Sequence, residues 1–199
     1  MKDPEMETAM LSRSRNLAAC TREFLETIAA LRAQNQNDVE TIWNAACHIN
    51  VLDHDISALL YFDTTTEDIW AQRTVARTLA ALIYEACADL QQLLGKRFMD
   101  ACSVAGIYQE IEVGHKAAKK KLGDFAKQHE SMLKKIRHNA GAHRDHDAIE
   151  FLTVVADTDP AQMVAVACDF STILLELAKV CNAAIAKANQ AYRAKGVIP

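Results

Sequence analysis

Proline and glycine are scarce in this chain, three and six among 199 residues. Sandwiches and barrels need many turns, so the scarcity argues against both. Long apolar runs are missing as well, and none approaches the roughly 18 residues a membrane span needs. The first residues, Met1 to Glu7, carry acids and no apolar stretch, which is not the pattern of a secretory leader. Six cysteines are present, but no two form a C-x-x-C pair, and most sit among Ala, Val, Leu and Ile. That spacing supports neither zinc ligation nor a disulfide framework, and it reads as buried free thiols in a reducing compartment. The phosphate-binding, dinucleotide and serine-nucleophile signatures built on glycine are absent too.

What remains is a chain that is 50% apolar and 24% charged. Such a mixture buries a core, and the length suits a single domain spanning residues 1–199. The expectation is a soluble, cytoplasmic, all-α protein: a helical bundle of about five to seven helices, with no membrane partner.

Periodicity outlines the helices. The first is expected over about 5–34, with Leu17, Phe24, Leu25, Ile28 and Leu31 as its apolar stripe. The second runs over about 38–61 and carries Ile42, Ala46, Ile49, Ile56 and Leu60. Thr64 and Glu67 have capping-box spacing ahead of a third helix that ends near Leu94. In that third helix Val75, Leu79, Leu82, Ala86, Leu90 and Leu93 recur at steps of three and four. A short helix over 96–105 ends at Gly106, and Gly114 is read as opening a further helix towards Asn139. A segment over about 145–156 follows. Asp159-Pro160 then starts a last helix striped by Met163, Val166, Phe170, Ile173, Leu174, Leu177, Val180, Cys181 and Ala184.

Charge is distributed unevenly. The net charge is −4, yet residues 115–145 hold nine Lys or Arg and three Asp or Glu, a local excess of six. This asymmetry marks either an anion-binding face on an acidic body or a solvated helix face.

Three of the seven histidines fall within nine residues, in Lys134-Lys135-Ile136-Arg137-His138-Asn139-Ala140-Gly141-Ala142-His143-Arg144-Asp145-His146. Arginine grips phosphate with a fork of donors, and histidine exchanges a proton near neutral pH. Together they suit a metal-free reaction in which a ribose 2′-hydroxyl attacks its own phosphodiester. Arg137 and His143 are six residues apart, about 120° around an unbroken helix, whereas Asn139 and His143 share a face. Gly141 lies where a bend would let them converge.

The run Arg137-His138-Asn139-Ala140-Gly141-Ala142-His143 resembles the R-x(4–6)-H motif of the HEPN superfamily, and Ala142-His143-Arg144-Asp145 resembles its bacterial abortive-infection type. The resemblance implies an all-helical, HEPN-like bundle that forms a homodimer and acts as a metal-independent endoribonuclease. Its composite site would lie at the dimer interface, in a toxin–antitoxin or abortive-infection setting. It implies Arg137 and His143 as catalytic residues, His138 and Asn139 as supporting ones, and RNA as the substrate. Lys134, Lys135 and Arg144 are the expected nucleic-acid contacts, and no metal or other cofactor is expected. Some members of the superfamily have lost catalysis. The alternative is therefore a non-catalytic helical module that pairs with a protein partner, such as an antitoxin, or binds a nucleotide.

Two other constellations stand beside this one. His143, His146, Asp145 and Asp147, with Asn50, Asp53, His54 and Asp55 on the second helix, offer metal-ligand types, although paired Glu-x-x-His motifs are missing and Arg137 and Arg144 would repel a cation. Arg73, Arg77 and Glu85 on the third helix form either a phosphate-lining face or an exposed ion-pair face of little energetic weight.

Overall fold

The computed structural model describes residues 4–138 and 148–194. Among them are seven helices and no strand: α1 (Pro4–Ala33), α2 (Asn37–Thr65), α3 (Ile69–Leu93), α4 (Lys96–Ala105), α5 (Tyr108–Ile136), α6 (Ala148–Asp157) and α7 (Pro160–Ala194). The chain is an all-α helical bundle. None of these helices is long and apolar enough to cross a membrane.

The long helices α2 and α7 form the centre. α2 packs against α1, α3, α4 and α7, and α7 also packs against α3, α4 and α5. α3 and α5 lie side by side, and among the described helices α6 packs against these two. The apolar stripes meet in one core that includes Ile42, Ile49, Ile56, Leu79, Leu90, Phe98, Leu122 and Phe170. Each such side chain, fully removed from water, contributes about 1.5–3 kcal/mol before conformational entropy is subtracted. On α1 only the Phe24, Ile28 and Leu31 part of the stripe is buried, while Leu25 faces solvent.

Local chemistry explains where helices stop. After α1 the chain turns through Asn35 at a φ of 55°, and the Gln36 amide reaches back to the Leu31 carbonyl at 2.9 Å. After α4, Gly106 takes a φ of 81° and the Ile107 amide reaches the Cys102 carbonyl at 2.9 Å. Both are Schellman closures, which use a left-handed residue to satisfy the last carbonyls. α7 starts as expected, with Asp159 Oδ1 accepting from the Ala161 amide at 3.0 Å and Pro160 in the first position.

Four local expectations are corrected. α2 continues to Thr65, because the Thr64 and Thr65 hydroxyls donate to the carbonyls of Tyr61 and Phe62 at 2.8 and 2.9 Å. The cap of α3 is therefore Asp68, whose Oδ1 accepts from the Trp70 amide at 2.9 Å, and not Thr64. Gly114 does not open α5: it lies inside that helix, where a Cβ would stand 3.7 Å from Val180 Cγ2 of α7. That is ordinary van der Waals contact, so the position has room for a methyl group. Finally, all six cysteines are free, but only Cys87, Cys102 and Cys181 are buried, and Cys168 is exposed.

Candidate functional site at the end of helix α5

The basic helix α5 carries Lys134 and Lys135 in its last turn, and Arg137 and His138 follow directly. Its lysines are not equivalent. Lys116 pairs with Glu112 at 2.6 Å, Lys121 approaches Glu176 at 3.9 Å, and Lys119 donates to the Gln91 carbonyl at 3.1 Å. Lys120, Lys127 and Lys134 are exposed and make no ion pair with the described residues. They recur every seven residues, so they form one stripe along the helix, with about 10 Å between neighbours. Lys135 is also exposed but lies beside Asp157 and Asp159, lining a small cleft against α6 and α7.

At the end of the helix the backbone opens into π-helical geometry at Arg137 and His138. Such widened turns recur at functional positions. On a regular helix neighbouring residues point about 100° apart. Here both reach the same ring: the Arg137 guanidinium carbon stands 5.8 Å from the centre of Tyr84, and the His138 ring meets Tyr84 edge-on at 6.2 Å. Arg137 Nη2 also binds Glu85 Oε1 at 2.5 Å. Its Nε–H is buried and finds no acceptor among the described residues. The guanidinium is thus held from two sides, by a carboxylate and by an aromatic face, with one inward donor unspent. Such a pair adds little stability when half exposed, but it fixes the orientation of a fork that would otherwise sweep freely.

Asn139, His143 and Arg144 lie outside the described residues, as do the ligand-type residues Asp145, His146 and Asp147. The site therefore shows Arg137 and His138, with Lys134 one turn before them. Among the described residues no group of three or more His, Cys, Asp and Glu side chains gathers as a metal site. His54 instead lies 3.1 Å from Ser14 Oγ through Nε2 and 3.4 Å from Asp55 through Nδ1, an ordinary surface environment.

The α3 constellation is redistributed by the fold. Glu85 turns to Arg137 and not to the arginines of its own helix. Arg73 lies over the Trp70 ring at 4.9 Å, and Arg77 lies 6.0 Å from the Phe151 ring of α6. Sequence reasoning passed over Tyr84 entirely. A faint signal existed for its neighbour, because Glu85 is the one acid between Ile69 and Ala88 and sits off the apolar stripe.

Next to this cluster, α3 and α5 line a cleft of about 320 Å³. Tyr84, Cys87 and Ala88 line one wall, and Lys127, Glu130 and Leu133 line the other. Burial pushes the Cys87 thiol up to about 12, so it is a neutral apolar wall and not a nucleophile.

Fold and geometry together define a class: an all-α bundle in which a basic helix ends in an arginine clamped by a neighbouring helix. No protein-family model, curated protein or solved structure matches this chain.

Proposed function

We propose that the chain is a metal-independent endoribonuclease of the HEPN type, working in the cytoplasm as a homodimer with a composite site, in a toxin–antitoxin or abortive-infection setting. The reading rests on the R-x5-H motif, and the observation that supports it best is the clamped guanidinium of Arg137 at the head of a lysine stripe. A phosphodiester arriving along that stripe would meet a cation already oriented by Glu85 and Tyr84, which limits the entropy lost on binding.

In the proposed reaction a ribose 2′-hydroxyl attacks the adjacent phosphorus. His143 accepts the hydroxyl proton as the O2′–P bond forms. The P–O5′ bond breaks, and the leaving oxygen takes a proton from a second histidine, supplied by the other copy's motif. Arg137 neutralises the charge that builds on the non-bridging oxygens. His138 and Asn139 orient the strand, and Lys134, Lys135 and Arg144 hold its flanking phosphates. The products are a 2′,3′-cyclic phosphate and a 5′-hydroxyl.

The test is RNA cleavage in excess EDTA by the wild type and by His143→Ala. Cleavage by the wild type should persist in EDTA and leave cyclic phosphate ends. A loss of at least about 100-fold in the variant is expected for removal of a general acid–base. Wild-type rates in a folded His143→Ala protein would refute the assignment. A folded wild type that binds RNA without cutting it would point instead to the non-catalytic binding module.

A further inference from the structure

The cleft between α3 and α5 has no role in the chemistry above, yet it adjoins the residue that carries it. Tyr84 belongs to both: its ring supports Arg137, and it lines the cleft. Leu133, on the opposite wall, is one helical turn before Arg137. A group seated in the cleft and a group held by Arg137 are therefore separated by little more than a turn, about 5 Å along the helix.

We infer that this cleft is a nucleobase subsite: it takes one base of an RNA strand whose adjoining phosphate is held by Arg137. The inference deepens the ribonuclease reading and rests on it. Three observations point to this occupant. The volume of about 320 Å³ lies at the small end of ligand sites, enough for one ring system and its sugar. The walls offer what a base needs: an aromatic ring in Tyr84 and flat apolar surface from Cys87, Ala88 and Leu133. The charge is complementary in its placement. Lys127 stands at the rim between Lys120 and Lys134, on the stripe with no ion-pair partners among the described residues, so a polyanion threaded along α5 carries its bases past the opening.

The rim also predicts a preference. Glu130 is an acceptor-only carboxylate, and it favours a base that presents an exocyclic amino group. Cytosine, adenine or guanine should enter more readily than uracil.

The experiment uses the full chain in two forms. First, the four nucleoside 5′-monophosphates are titrated into the His143→Ala protein, with binding followed by saturation-transfer NMR. CMP, AMP or GMP should bind better than UMP. Ala88→Phe, placed on an exposed position to fill the cleft, should weaken that binding by about tenfold, the worth of one stacked base. Glu130→Gln should narrow the difference between CMP and UMP, and thermal unfolding checks that both variants are folded. Second, the wild type and Ala88→Phe cut a randomised RNA. The wild type should prefer amino-bearing bases at one position beside the cut, and the variant should lose that preference.

No nucleotide binding, or binding that ignores both substitutions, overturns the subsite. Cleavage with an unchanged profile in Ala88→Phe also overturns it, while leaving the ribonuclease intact. Cleft-dependent nucleotide binding in a chain that never cuts RNA keeps the subsite and removes the ribonuclease.

Discussion

His115 shows how a single residue ties the fold to pH. It sits on the basic helix but is buried, stacked on Phe98 with ring centres 5.6 Å apart, and its Nε2–H donates to the Leu94 carbonyl at 2.7 Å. That carbonyl belongs to the residue that closes α3, so the imidazole fastens the α3–α4 corner to α5. Burial holds the ring below its ordinary value of 6.5, against the opposing pull of the Leu94 bond, and Lys119 and Lys116 add to the lowering. The native state therefore takes up this proton less readily than the unfolded chain. The stability contribution is complete above pH 6.5 and is lost progressively as pH falls below it. Urea midpoints measured from pH 7.5 to 5 should fall more steeply for the wild type than for His115→Gln, which cannot titrate. Parallel slopes would mean that the ring gains its proton without cost. Gln should itself cost about 1–3 kcal/mol at pH 7.5, since the stacking and hydrogen-bond geometry are disturbed. Among the site residues the same scale explains what could be read in advance. Arg137 announces itself by its spacing to His143, whereas Tyr84 and Glu85 lie some fifty positions away and meet it only through the packing of α3 on α5.

At the scale of elements, the legible helices are those whose ends carry their own chemistry. α4 spans Lys96–Ala105 as periodicity and Gly106 indicate, and α7 begins at the Asp159-Pro160 pair. The misread boundaries are those where the deciding partner is distant or ambiguous. Gly114 resembles a helix opener in one dimension, but in three it lies inside α5, on the side that faces Val180 of α7. The threonines after Tyr61 resemble a break, yet their hydroxyls bond back to the preceding turn and extend α2. Two substitutions test these end devices. Asp159→Ala removes the acceptor for the Ala161 amide and should cost about 1 kcal/mol, read as a lower urea midpoint with unchanged slope. Gly106→Ala has open space around the new methyl but must hold a φ of 81°, so the expected cost of about 1–2 kcal/mol is purely conformational. A neutral or stabilising result at Gly106 would show that the corner relaxes out of its left-handed geometry.

For the whole molecule, the decisive feature is the separation of charge from the sum. A chain of net charge −4 concentrates an excess of six positive charges between residues 115 and 145. On the proposed composite site, two such segments meet across a two-fold axis, so the dimer must work against repulsion between like faces. Salt screens that repulsion over a Debye length of about 10 Å at 0.1 M. Dimerisation should therefore tighten as salt rises from about 50 to 300 mM, the range in which the repulsion is progressively screened. Binding of a short RNA should show the opposite trend, because each lysine–phosphate contact releases a counterion that high salt resists. Lys127→Ala, on the stripe without ion pairs among the described residues, should lower the steepness of the RNA salt dependence by about one unit of slope. Sedimentation of the protein alone and fluorescence anisotropy of labelled RNA measure the two trends independently. If both associations weaken with salt, the subunits are held by opposite charges, and the interface lies on some face other than the end of α5. If they diverge, the basic segments face one another, and RNA is the counter-charge that completes the assembly.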